Sequence, residues 1–141
     1  MRIYFCSDVH ASRKCWKKFL ASAKFYNADI IIVGGDITGK FIVPIVQQPG
    51  GKHTARFLGV ERRIETAEDM QQLKIRIADT GQYHYEMTPE EQAWYAEDQA
   101  RVDELFHRLV MHASIRTSSP RFSCVFETFT RKRVGNSRIR F

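Results

Sequence analysis

Two short apolar runs near the amino terminus constrain the fold more than any other feature. Ile3-Tyr4-Phe5-Cys6 is followed by Ser7-Asp8-Val9-His10, and Ile30-Ile31-Ile32-Val33 by Gly34-Gly35-Asp36-Ile37-Thr38-Gly39-Lys40. Runs this short, rich in β-branched residues and closed by Gly or Asp, read as buried strands of a parallel sheet. Residues 11–27 between them read as a helix. Cys15, Trp16, Phe19, Leu20 and Ala23 share one face of a 3.6-residue period, and Arg13, Lys14, Lys17, Lys18 and Lys24 lie mostly on the other. Strand, crossover helix and strand make a βαβ unit. That unit delivers Asp8, His10 and Asp36 to the carboxyl ends of its strands, where open α/β sheets bind ligands.

The rest of the chain adds fewer strong signals. Residues 41–48 and 53–60 are strand-like runs around the turn Pro49-Gly50-Gly51-Lys52, which predicts a β-hairpin with Pro44 holding its strand at an edge. Thr66-Ala67-Glu68-Asp69 opens a helix with a capping box, Met70, Leu73 and Ile77 continue its apolar stripe, and Gly81 closes it. Thr88-Pro89-Glu90-Glu91 opens another. That helix is expected to run to about Met111, burying Ala93, Trp94, Val102, Leu105, Phe106, Leu109 and Val110. The expected class is α/β. Residues 41–112 form a hairpin and two-helix insertion within a domain spanning 1–112, and 113–141 is a separate basic tail.

Composition sets bounds on function. The 141 residues are 43% apolar and 27% charged, ordinary values for one soluble globular domain. No apolar run approaches the roughly 20 residues of a membrane span, and Asp8 arrives too early for a signal peptide. Cys6, Cys15 and Cys124 are odd in number and widely spaced, which predicts reduced thiols and a cytoplasmic setting. Charge is uneven. Residues 113–141 hold seven bases against one acid, the whole net charge of +6, and residues 1–112 balance 15 bases with 15 acids. With Phe122, Phe126 and Phe129 interleaved, that tail is a candidate nucleic-acid-binding segment, against the plainer reading of a solvated tail.

Chemistry concentrates at the two strand ends. Asp8 and His10 are two apart, so on extended backbone their side chains point the same way and can share a cation. Asp36 adds a third ligand, with its second oxygen free to bridge to another metal. Gly34 and Gly35 allow a sharp turn and a close approach there. Taken singly, Asp8 is as readily a helix cap, His10 a surface residue and Gly-Gly-Asp a turn. Residues 34–40 also match the start of a P-loop, but Phe41 stands where a magnesium-binding hydroxyl belongs, and the run after it is strand-like.

Together, Ser7-Asp8-Val9-His10 and Gly34-Gly35-Asp36 resemble the Asp-x-His and Gly-Asp motifs of the calcineurin-like metallophosphoesterases. The resemblance covers residues 1–40. It implies a partial α/β/β/α half-fold and metal-dependent hydrolysis of phosphomonoesters or phosphodiesters. By it, Asp8 and His10 hold one metal and Asp36 bridges two, the metals being Mn, Fe, Zn or Mg. The family's Gly-Asn motif finds its only counterpart at Gly135-Asn136, making Asn136 a candidate ligand, although Ser137 follows in place of His or Asp. The two later histidine motifs have no counterpart. His107 and His112, five apart on a helix, do not share a face. The resemblance thus implies a truncated chain with half of a dinuclear site, acting on a phosphoester substrate, with an exposed sheet edge prone to self-association.

Overall fold

The computed structural model describes residues 1–115; the candidate ligand Asn136, the strand-like run 122–129 and the other bases of the tail lie outside them. Strand β1 (Ile3–Cys6) pairs in parallel with β2 (Ile30–Val33), in register from Ile3–Ile30 to Cys6–Val33, and helix α1 (Arg13–Phe25) crosses between them. The βαβ unit is present. Its strands are not buried, however. Both alternate exposed and half-buried, with Ile3, Phe5, Ile30 and Ile32 open on one face. The reason is that the sheet has only two strands and one helix. Tyr4 meets Phe19 of α1 on the covered face, and no described element covers the other. On α1 the buried residues are Phe19 and Ser22, whereas Cys15, expected inside, is exposed.

The main core lies in the part expected to be an insertion. Strands β3 (Ile42–Gln47), β4 (His53–Phe57), β5 (Val60–Ile64) and β6 (Tyr83–Met87) form a four-stranded sheet in the order β5-β4-β3-β6. The β3–β4 hairpin is antiparallel around a 3-10 turn at Pro49–Gly51. β5 and β6 carry too few apolar alternations to stand out in sequence, yet β6 pairs in parallel with β3 from Ile42–Tyr83 to Val46–Met87. Pro44 therefore sits in a central strand, not at an edge. Its missing N–H is tolerated because the ladder to β4 starts one residue later, at Ile45–Ala55.

Helix α2 (Ala67–Asp79) covers one face of this sheet. Val43, Ile45, Ala55, Phe57 and Ile64 pack against Leu73 and Ile77, with Met70 at the margin. Helices α3 (Pro89–Ala96) and α4 (Gln99–Ile115) cover the other, where Ile42, Val46 and Met87 meet Tyr95, Val102 and Leu105. The chain is a mixed α/β structure with four helices and two sheets among the described residues, and none of these helices is long and apolar enough to cross a membrane.

The expected single helix from Pro89 is two. Asp98 Oδ1 accepts the Ala100 N–H at 2.8 Å, and Arg101 donates to the Trp94 carbonyl at 2.7 Å while stacking on its indole at 4.3 Å. Side chains that bond to nearby backbone interrupt helices in this way. In α3 Tyr95 is buried, whereas Ala93 and Trp94, expected inside, are exposed. α4 then continues past the expected boundary at residue 112 to Ile115.

Both capping boxes formed as the sequence predicts. Thr88 accepts from the Glu91 N–H at 3.2 Å, and Glu91 returns the bond to the Thr88 N–H at 2.9 Å. Thr88→Ala removes the first of these and should destabilise the fold by about 1 kcal/mol. Urea unfolding should show a lower midpoint with an unchanged slope.

A pH dependence follows from β6. Burial pushes His84, which pairs with Val43, toward its neutral form, and the Lys74 ammonium adds to this while Glu86 opposes it. The folded chain thus holds this proton less tightly than the unfolded chain. Below the ordinary imidazole value of about 6.5, the unfolded state gains a proton that the folded state refuses, so stability falls as pH drops. Thermal unfolding from about pH 7.5 to about pH 5 should show the decline, and His84→Gln should flatten it. An unchanged profile in that variant would remove His84 as the cause.

Candidate functional site

Asp8, His10 and Asp36 do meet, on two loops held together by backbone. The Gly34 N–H donates to the Cys6 carbonyl, extending the β1–β2 ladder past its end. His10 N–H then donates to the Asp36 carbonyl at 3.1 Å and Ala11 N–H to the Ile37 carbonyl at 2.9 Å. The expectation of extended backbone from Asp8 to His10 fails here. Asp8, His10 and Ala11 have φ of 56°, 49° and 53°, the left-handed region that non-glycine residues enter only under constraint. The tight turn is the reason: the loop must reverse to reach Ser12, the N-cap of α1, and alternation of side chains is lost.

The two carboxylates consequently take different roles. Asp8 Oδ2 accepts from Ser7 Oγ at 2.9 Å, and Asp8 Oδ1 lies 3.4 Å from the Asp36 N–H. These bonds, with the nearby His10 and Lys40, hold the Asp8 carboxyl below the usual range, so it stays ionised. Asp36 Oδ1 accepts from both Thr38 N–H (3.0 Å) and Thr38 Oγ1 (2.9 Å), an Asx turn that fixes its rotamer. Its Oδ2 faces His10 Nδ1 at 3.4 Å and Lys40 Nζ at 3.6 Å. Oδ1 is thus engaged by Thr38, while Oδ2 faces two basic groups.

His10 presents an unresolved bond. Its side chain is 41% exposed, yet Nδ1 itself is shielded from solvent and makes no hydrogen bond, although Asp36 Oδ2 lies 3.4 Å away. Among the described residues, no group of three His, Cys, Asp or Glu side chains is disposed as a metal cage. The cluster is a donor set of two carboxylates and an imidazole, with Lys40 as a cation beside one of them.

Gly35, expected at a sharp turn, has φ of 119°, and a Cβ there would stand 3.2 Å from both the N and the Oδ1 of Asp8, so glycine lets the second loop close on that carboxylate. What escaped sequence reasoning is the support from the α2–β6 region. Ser12 Oγ donates to the Asp79 carbonyl at 2.7 Å, Arg13 pairs with Asp79 at 3.0 Å, and the Gly39 N–H donates to Tyr83 Oη at 3.1 Å. Gly81 packs directly on the His10 carbonyl. Burial pushes the Tyr83 phenol up, and the Asp36 charge adds to that, so this hydroxyl remains protonated beside the loop. A glycine at a helix end was the only sequence signal for any of this.

After Lys40 the chain enters Phe41 and β3, where a P-loop needs the N-terminus of a helix. His107 and His112 lie on α4, and neither belongs to this cluster. No family model matches the chain, and no curated protein or solved structure matches it.

Proposed function

We propose that the cluster of Asp8, His10 and Asp36 is a divalent-cation site serving hydrolysis of a phosphoester, and that β1-α1-β2 is the opening unit of a metallophosphoesterase half-fold. The observation that carries the reading is the placement of these three residues at the carboxyl ends of two parallel strands, where the shielded His10 Nδ1 makes no hydrogen bond and faces Asp36 Oδ2 at 3.4 Å. The donor chemistry fits Mn, Fe, Zn or Mg. Asp8 contributes a carboxylate whose ionised form the Ser7 bond favours further. Asp36 contributes Oδ2, its other oxygen being held by Thr38. His10 contributes its imidazole, and Lys40, exposed next to Asp36, is placed to meet an anionic phosphoryl oxygen. The chemistry a bound cation supplies here is polarisation of that oxygen and activation of water near neutral pH.

The test is hydrolysis of bis-p-nitrophenyl and p-nitrophenyl phosphate by the full chain with added Mn²⁺, Mg²⁺, Zn²⁺ or Fe²⁺. Activity that is lost in EDTA and in Asp8→Ala supports the reading. An inactive parent with every metal defeats the enzymatic part of it, and Mn²⁺ titration by calorimetry then decides whether the cation site stands alone.

A further inference from the structure

We propose that the solvent face of α1 is a binding surface for single-stranded nucleic acid. This goes beyond the hydrolysis reading and does not depend on it. α1 carries Arg13, Lys14, Lys17, Lys18 and Lys24 and no acidic residue. Arg13 is paired with Asp79, whereas the four lysines have no ion-pair partner among the described residues. At 100° per residue, Lys14, Lys17, Lys18, Lys24 and Phe25 fall on one stripe, and all five are exposed. The stripe is about 16 Å long.

Helices α2 and α3 begin differently. α2 and α3 open with acids, Glu68 and Asp69 in one, Glu90 and Glu91 in the other, which suit the positive end of the helix dipole. Lys74 of α2 pairs with Glu86, and Arg101 of α4 with Glu97 and Asp98. α1 opens with Arg13 and Lys14 against the dipole, and Lys14 faces Lys17 and Lys18 at the spacings where like charges repel. The imbalance extends over the molecule. Residues 1–58 hold nine bases and three acids, and residues 59–115 hold six bases and twelve acids. A polyanion laid along α1 relieves both the local repulsion and this separation.

The geometry favours a polymer of phosphates over a single one, because the lysines are spread along a line and form no pocket. It favours unpaired bases because the stripe ends in an aromatic platform. Phe25 is 79% exposed and meets Tyr26 edge-on, with centroids 4.8 Å apart. Such a platform stacks bases that are free of a duplex. A membrane surface fits less well, since the apolar side of α1 is already packed on β1–β2 through the Tyr4–Phe19 contact and cannot insert.

The test is fluorescence anisotropy of a labelled oligothymidylate of about 15 nucleotides with the full chain, in EDTA so that hydrolysis cannot intervene. Four phosphate contacts contribute about 3 to the slope of log affinity against log salt. Replacing Lys14, Lys17, Lys18 and Lys24 together by Gln should reduce the slope by about that amount, and Lys14→Gln with Lys18→Gln by about half of it. Phe25→Ala should weaken binding about tenfold at every salt concentration with the slope unchanged. The bases beyond Ile115 are common to all variants, so the differences belong to α1. An unchanged slope in the fourfold variant overturns the proposal, as does an equal loss on replacing Arg62 and Arg63 of β5 by Gln. Binding to phosphatidylserine vesicles with none to the oligonucleotide also overturns it.

Discussion

Gly81→Ala should destabilise the protein by about 3 kcal/mol and disorder the loop that carries His10. Two costs combine. Gly81 has φ of 77°, a conformation that a residue with a Cβ adopts at a cost of about 1–2 kcal/mol. A Cβ at this position would also overlap the His10 carbonyl oxygen and come within 3.3 Å of the Ser12 N. Those atoms are backbone, fixed by the His10–Asp36 and Ala11–Ile37 bonds, and cannot turn aside as a flexible side chain would. Gly59 supplies the control. Its φ is 80° and nothing lies within 4 Å of a Cβ there, so Gly59→Ala should cost only the conformational part, about 1 kcal/mol. Urea unfolding of the two variants separates the terms. Equal losses would mean that the second sheet does not press on the site loop.

Asp36→Ala should abolish metal-dependent phosphoester hydrolysis, a loss of at least about 100-fold. The substitution removes a proposed ligand, the acceptor for both Thr38 donors and the counter-charge of Lys40. Any of these could account for a loss, so Asp36→Asn is the informative variant. Its Oδ1 still accepts from Thr38, while the charge facing His10 and Lys40 disappears. If the carboxylate acts as a cation ligand, Asn should be as inactive as Ala, with an unfolding midpoint close to that of the parent. An Asn variant that keeps its activity would show that Asp36 serves only to shape the loop, and the cation reading would fail. A calorimetric titration with Mn²⁺ gives a second readout. Affinity should fall in both variants, whereas a structural role predicts loss only in Ala.

How much of this could be read from residues depends on where the determining interaction lies. Thr66 and Thr88 specify their helix starts because donor and acceptor are three residues apart, and both boxes formed. Strands β1 and β2 and the crossover helix were legible for a similar reason, each run being short, apolar and sharply ended. β6 was not. Tyr83-His84-Tyr85-Glu86-Met87 has no marked alternation and becomes a strand by pairing with β3, some forty residues earlier. Pro44 misled because an edge is the usual place for proline in a sheet, and only the register of both ladders shows that no bond is asked of its nitrogen. The helix break at Glu97–Asp98 was overlooked because the apolar period continues across it, while Asp98 and Arg101 divert backbone groups locally.

The candidate site divides along the same line. That Asp8, His10 and Asp36 would stand at neighbouring strand ends is written in residues 3–40, since the βαβ connection leaves little freedom over where the strand ends fall. Their mutual geometry is not written there. Whether Asp8 and His10 point the same way depends on three left-handed backbone conformations, in a loop that packs on Gly81 and is tied through Ser12 to Asp79 at the end of α2. Burial was decided at that level as well. The apolar runs of β1 and β2 announce strands, but a strand is buried only if something covers it, and in this fold the packed core assembled between β3 and its helices on either side. Hydrogen bonds between near neighbours are encoded by adjacent letters. Close packing between distant backbones depends on the whole chain being in place.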